Sequence, residues 1–181
     1  MRILGIDPGT AIVGYGMVEC VRGEVMAGAH HAFYGCITTD KERSADRRLS
    51  DLYDGMTNLL RTYKPDVLAI EKLFFARNVT TAIAVGEARG VILLAAQQAG
   101  VETTGYTPMQ VKLQVTGWGK AEKKQVKEMV KKILLLDQEH IQTDDAWDAI
   151  GIALTHVYLT GLAIRPDFII PPEKKIRSTK S

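Results

Sequence analysis

The chain has 181 residues, of which 46% are hydrophobic and 24% charged, and its net charge at pH 7 is +2. These values fit one globular domain, and no apolar run approaches the ~18 residues of a membrane span. Cys20 and Cys36 are too few for a disulfide framework or a metal cluster, and the N-terminus lacks a signal-peptide pattern, so we expect reduced cysteines and a cytoplasmic location.

The chain begins with three predicted strands connected by hairpin-like turns, at residues 2–7, about 11–20 and about 24–38. The first is a short apolar run, typical of a strand buried on both faces. It ends on Asp7, and Pro8 and Gly9 stop it at once. The pattern therefore predicts a carboxylate at the end of a buried strand, where a site can open.

A helix and a second strand of this kind follow. Apolar residues recur at spacings of three and four from Leu49 to Leu60, which predicts an amphipathic helix that ends at Lys64-Pro65. Residues 66–71 then form a fourth strand, and it also ends on an acidic residue, Glu71. Two distant strands thus carry a carboxylate at the same relative position.

The next predicted helix, which runs to about Gln98, is rich in small residues. Gly86 and Gly90 stand one turn apart in it. A glycine inside a helix costs about 1 kcal/mol relative to alanine. Close packing, against the sheet or against a partner subunit, would offset that cost.

The C-terminal half has a fifth strand at 101–106, a short helix at 108–115, a break at 116–119, and helices at 121–136 and 144–162. Residues 112–132 contain seven lysines and two glutamates. Such a segment is either a solvated helix face or a surface for a polyanion. We divide the chain into one domain, residues 1–162, and a basic C-terminal tail, residues 163–181, expected to be loose.

Acidic residues open the last helix. Asp145 and Asp148 are three apart and share a face, but Asp144 is four from Asp148, so spacing does not choose between Asp144 and Asp145. Acidic residues in a first turn also complement the helix dipole without any metal. Asp7 and Glu71 gain nothing from a helix end, however. Converging carboxylates raise one another's pKa values, and divalent cations relieve that repulsion.

Oxygen ligands favour Mg²⁺ or Mn²⁺ over zinc, and two such ions are the standard solution for attack on a phosphodiester. The acidic residues therefore predict a metal-dependent nuclease. The order of the elements, three antiparallel strands followed by alternating helices and strands, predicts an α/β fold with one mixed sheet flanked by helices.

Several motifs resemble the RuvC family of Holliday-junction resolvases, in the RNase H-like superfamily. They cover residues 1 to about 160 in the family's order and are Gly5-Ile6-Asp7-Pro8-Gly9-Thr10, Ala69-Ile70-Glu71-Lys72-Leu73-Phe74, Gly86-Glu87-Ala88-Arg89-Gly90, Gln110-Val111-Lys112, and Asp145-Ala146-Trp147-Asp148-Ala149 through His156. The resemblance implies an RNase H-like fold with a five-stranded mixed sheet and a homodimer. It also implies paired symmetrical nicks in four-way DNA junctions, with two Mg²⁺ or Mn²⁺ ions per site, and a RuvA–RuvB-type branch-migration complex as partner, in recombination and repair.

The resemblance also implies roles for particular residues. The family's four acidic metal ligands fall on Asp7, Glu71, Asp145 and Asp148, which favours Asp145 over Asp144. Its junction-contacting aromatic residue falls on Phe74, and its catalytically important lysines fall on Lys112 and Lys123. We expect Lys120, Lys124 and Lys127 to add salt-dependent contacts to the DNA backbone. Trp147 is bulkier than the small residue that the family has between the last two ligands.

Three other functions share part of this pattern. An ATPase domain of the actin and hexokinase type also has a strand ending in Asp-x-Gly-Thr, but it needs a second glycine-bearing phosphate loop and a longer chain. A non-catalytic junction-binding protein would use the same basic surface, but converging carboxylates would hinder it. An RNase H-like nuclease acting on RNA or an RNA–DNA hybrid would keep the fold and the metals; Phe74 and Lys112 favour junctions.

Overall fold

A mixed β-sheet with helices on both faces forms the frame of the protein. The computed structural model describes residues 1–22, 32–73, 79–134 and 143–164. The elements are β1 (Arg2–Asp7), β2 (Ile12–Arg22), β3 (Ala32–Thr38), α1 (Ala45–Tyr63), β4 (Val67–Glu71), α2 (Val79–Gln98), β5 (Glu102–Tyr106), α3 (Pro108–Thr116), α4 (Lys123–Leu134), α5 (Asp144–Thr160) and β6 (Leu162–Ile164).

The five main strands lie in the order β3-β2-β1-β4-β5. The first three strands are antiparallel, and β4 and β5 run parallel to β1. The predicted mixed five-stranded sheet is therefore confirmed. Within the described ranges, the structure contains no helix with the length and apolar character needed to cross a membrane.

Alternation along the strands builds two cores, one on each face of the sheet. Leu4 and Ile6 of β1 pack with α1 and α2. Ile3 of the same strand packs on the other face with α3, α4 and α5. Because β1 is covered on both sides, its apolar run is buried without alternating, as the sequence indicated.

Glycines allow α5 to lie directly against the sheet. A Cβ atom at Gly5 would stand 2.0 Å from the carbonyl oxygen of Ala149, and one at Gly14 would stand 2.1 Å from that of Asp145. Any side chain at these positions would push the helix away, since such distances are far inside van der Waals contact. The first turns of α5 therefore rest on the backbone of β1 and β2, beside the end of β1.

The end of the last helix differs from the prediction. The last helix ends at Thr160 because Gly161 adopts a left-handed φ of +66°. A short strand that the sequence did not indicate, β6 (Leu162–Ile164), then pairs with β2. The predicted start of the third strand (residues 24–31) and the tail from residue 165 lie outside the described residues.

Candidate active site

The ends of two neighbouring parallel strands bring two acidic residues together. Ile6 of β1 is in register with Ile70 of β4, so the next residues, Asp7 and Glu71, are neighbours. Both have the same strand parity as Gly5, which faces α5, and both are partly buried. A cavity of about 230 Å³, lined also by Pro108 of α3, opens beside them.

Arginine side chains donate hydrogen bonds to the backbone at or just after the end of each strand. The Arg48 guanidinium donates to the carbonyl oxygen of Thr10, and Thr39 Oγ1 donates to the same oxygen at 3.2 Å. Arg89 Nε donates to the carbonyl oxygen of Glu71 at 3.2 Å. The sequence did not indicate these contacts, although Arg89 lies in one of the motifs that carry the resemblance.

The start of α5 packs directly on Gly14 of β2, and Gly14 is paired with Asp7 of β1. We call this close packing of α5 on the strand glycines the seat of α5. It brings the acidic residues of α5 over the end of β1. Asp145 and Asp148 both act electrostatically on Asp7 and raise its pKa. Asp144 instead makes an ion pair with Lys127 at 2.8 Å, and its side chain is 60% exposed. The structure thus brings Asp145, and not Asp144, to Asp7.

Burial and mutual repulsion perturb these carboxyl groups strongly. Burial, followed by the charges of Glu71, Asp148 and Asp145, raises the pKa of Asp7 to about 7 from 3.8. Burial and Asp148 also raise the pKa of Glu71, and burial raises that of Asp148. A group of partly buried carboxylates that resists full ionisation is typical of a site that requires a positive counter-charge.

Lys123, at the start of α4, supplies part of that counter-charge. Its Nζ lies 2.6 Å from Oδ2 of Asp148. Burial alone would lower the pKa of Lys123, but the hydrogen bond and the charge of Asp148 raise it above its usual value. The same ammonium also lowers the pKa values of Asp7 and Glu71, so one cation acts on three of the acidic residues.

The donor set fits a hard divalent cation, since every predicted ligand offers carboxylate oxygens. Among the residues that the structure describes, however, no three acidic, histidine or cysteine side chains stand close enough to hold one ion. The Lys123 ammonium contacts Oδ2 of Asp148 at 2.6 Å, an oxygen that a metal would use. Which residues bind metal stays a prediction.

The predicted DNA-contacting lysines lie around this group. Lys112 is half-buried and close enough to Glu71 to lower the pKa of that carboxyl group. Lys120 and Lys124 are exposed, as is Lys123, with 57% of its side chain accessible. Phe74, the predicted junction-contacting ring, lies outside the described residues.

Trp147 is fully buried in the core on the α5 face of the sheet, with 2% exposure. The ammonium groups of Lys127 and Lys131 lie 5.8 and 5.6 Å from its ring centroid. Both lysines belong to α4, so cation–π contacts help to hold α4 against α5. The bulky side chain is thus accommodated beneath α4.

The chain is similar to proteins of one family along most of its length. The family model described as "Crossover junction endodeoxyribonuclease RuvC" matches residues 3–156. The chain is 53% identical over 156 residues to a protein of that name from Brevibacillus brevis, covering 86% of this chain and 91% of the relative. It is 47% identical over 161 residues to one from Fusobacterium nucleatum, covering 89% and 82% respectively. The solved structure "T. thermophilus RuvC in complex with Holliday junction substrate" matches with a TM-score of 0.79 at 35% identity, covering 89% of this chain and 95% of that one.

Proposed function

The chain belongs to the RuvC family of crossover junction endodeoxyribonucleases, which have an RNase H-like fold. We propose that it cuts four-way DNA junctions at a site formed by its four acidic residues. The observation that supports this most directly is electrostatic. Glu71, Asp148 and Asp145 come from two other elements, and all three act on Asp7 at one end of the sheet. A binding module gains nothing from such a group, because it repels phosphates.

In this proposal Asp7, Glu71, Asp145 and Asp148 hold two Mg²⁺ or Mn²⁺ ions. When bound, such ions supply Lewis-acid chemistry, lowering the pKa of the attacking water and neutralising charge on the leaving oxygen. The carboxylates would fix where such ions lie, and so where a phosphodiester can bind. Rigid strand ends and the seat of α5 keep them in place, so little reorganisation is needed during the reaction.

Lys123 contributes a positive charge to this site. Its ammonium lies 2.6 Å from Oδ2 of Asp148. If a divalent cation bound Asp148, the ammonium would be free to turn toward the DNA, and 57% of the Lys123 side chain is exposed. There it would donate to a phosphate oxygen and stabilise the charge that develops during cleavage.

The other basic residues hold the substrate. Lys112 stands beside Glu71, within reach of the DNA backbone next to the cleaved bond. Lys120 and Lys124 are exposed on the turn before α4 and on its first turn, where they bind phosphates further away. Phe74 stacks on a base at the crossover, a role that rests on the resemblance alone.

A homodimer is part of the proposal, and α2 supports it. Ile83 and Leu94 are 59% and 52% exposed, and Gly90 lies between them on the same helical face. Among the residues that the structure describes, a Cβ atom at Gly90 would meet nothing within 4 Å. The described packing therefore does not account for this glycine, whereas the close approach of a second copy would.

Two such sites suit paired symmetrical nicks in a four-way junction. The wider context is also proposed from the resemblance: a cytoplasmic protein of recombination and repair that works with a RuvA–RuvB-type branch-migration complex.

The test is cleavage of a labelled synthetic four-way junction, a linear duplex and an RNA–DNA hybrid, with Mg²⁺, Mn²⁺ or EDTA. We expect paired nicks confined to the junction and lost in EDTA. Cutting of the hybrid alone would refute the substrate and favour an RNA-directed nuclease. Tight junction binding without cutting under any metal would refute catalysis.

A further inference from the structure

Three large apolar side chains are exposed together where α3 turns back into α4. Met109, Leu113 and Trp118 are 64%, 47% and 54% exposed. Met109 and Leu113 are four residues apart and share a helical face. The turn packs against them, since a Cβ atom at Gly119 would stand 3.1 Å from Met109 Cγ and 3.9 Å from Leu113 Cβ. We call these three side chains the α3–α4 apolar surface.

Hydrogen bonds on both sides of Trp118 fix this turn. Gly117, with a left-handed φ of +79°, donates its N–H to the carbonyl oxygen of Leu113 at 2.8 Å. The N–H of Trp118 donates to Thr116 Oγ1 at 3.2 Å, and the buried Ala121 donates to the carbonyl oxygen of Trp118 at 3.0 Å. The break predicted from the glycines is therefore a hydrogen-bonded turn that presents the indole ring to solvent.

Basic residues connect this surface to the acidic group. Lys112 on α3 acts on Glu71, and Lys123 on α4 contacts Asp148. The turn that carries Trp118 joins these two helices, with the exposed Lys120 beside it. Gly117 lies about 8 Å along the helix axis from Lys112, which is about two nucleotide steps of a DNA strand.

We propose that the α3–α4 apolar surface is a DNA contact, with the Trp118 ring packing against an arm of the junction beside the cleaved strand. Exposed apolar side chains bordered by lysines match a nucleic-acid strand, whose sugars and bases are apolar and whose phosphates are anionic. The row of lysines complements DNA in charge, and a protein partner would need an acidic surface here. This inference rests on the proposed function, because it extends the same substrate-binding face.

Trp118 gives the surface its own spectroscopic probe. The protein has two tryptophans, and the other, Trp147, is 2% exposed. Acrylamide should therefore quench Trp118 selectively in the free protein. In EDTA, where the DNA stays uncut, saturation with a four-way junction should protect this ring from acrylamide.

Affinity for the junction supplies the second measurement. Trp118→Ala should weaken binding in EDTA about tenfold, the usual effect of losing one aromatic contact to nucleic acid. Trp118→Phe, which keeps a ring, should stay within about twofold of wild type. Leu159→Ala is the matched control, because Leu159 is 48% exposed but lies about 16 Å along α5 from Asp148. It should leave affinity unchanged.

Unaltered affinity in Trp118→Ala, or a Trp118 ring still open to acrylamide in the saturated complex, would overturn the inference while leaving the proposed function intact. A change of oligomeric state in Trp118→Ala with normal DNA binding would assign the surface to a second copy and also overturn it. Failure of the wild type to bind junctions would refute the proposed function and this inference together.

Discussion

Replacing Asp7 with Asn should stabilise the metal-free protein at neutral and alkaline pH. Burial and the neighbouring carboxylates raise the pKa of Asp7 to about 7, against 3.8 when it is exposed. A raised pKa means that the folded state favours the protonated form. The stability that this supplies is fully present below about pH 4 and is lost as the pH rises through 7. Asn resembles the protonated carboxyl group and does not ionise, so the variant keeps that stability.

The size of the effect follows from the shift. The folded and unfolded values differ by about three pH units, and one unit corresponds to about 1.4 kcal/mol. The variant should therefore exceed wild type by up to about 4 kcal/mol at pH 8 and match it near pH 4. In a chain of this length, a difference of that size raises the Tm by about 10 °C.

Thermal unfolding in EDTA, followed by circular dichroism from about pH 4 to 8, measures this directly. Asp144→Asn is the matched control, because its pair with Lys127 lowers the pKa of Asp144 and so gives the opposite sign. That control should be no more stable than wild type at neutral pH. Added Mg²⁺ should raise the Tm of wild type more than that of Asp7→Asn, because the cation supplies the missing counter-charge.

Equal stability of wild type and Asp7→Asn across this pH range would refute the reasoning. It would mean that Asp7 ionises in the folded protein without penalty, so that the acidic group needs no divalent cation. Loss of junction binding in a well-folded Asp7→Asn would separately contradict its proposed role, since the basic surface is unchanged.

Other substitutions test the remaining parts of the site. Lys123→Ala should slow cleavage about 100-fold while junction affinity in EDTA changes less than about threefold; the reverse order would make Lys123 an ordinary phosphate contact. Gly90→Leu should shift the dimer toward monomer in analytical ultracentrifugation, because the larger side chain blocks close approach along α2; an unchanged dimer would place the interface elsewhere. Gly5→Ala should destabilise the protein by about 3 kcal/mol and weaken metal binding, since its Cβ would stand 2.0 Å from the Ala149 carbonyl oxygen. Normal stability in denaturant titrations would contradict the close packing of α5 on Gly5.

Much of the architecture could be predicted because its signals are local. Asp7 and Glu71 each end an apolar run, and parallel strands in register bring such ends together at one edge of a sheet. The helical spacing of Asp145 and Asp148 likewise placed both on one face of α5. These predictions needed only strand and helix periodicity and the residues that stop each element.

Contacts between distant elements escaped prediction. Spacing could not separate Asp144 from Asp145, because the choice depends on how α5 is rotated on the sheet, and the seat on Gly14 sets that rotation. The ion pair of Lys123 with Asp148 depends on the docking of α4, which Trp147 supports from the core. A single sequence shows that glycines and a tryptophan are present but not which partners they meet.

The seat of α5 also limits how this site can change over time. At Gly5 and Gly14 the helix packs against the glycine backbone. Backbone atoms cannot change rotamer, and no residue is smaller than glycine. Gradual repacking of the surrounding core can therefore alter stability without altering the separation between the strand acids and the helix acids. Variation in metal preference or cleavage rate should therefore arise from substitutions of the residues around the carboxylates. The distances between the carboxylates themselves cannot change gradually.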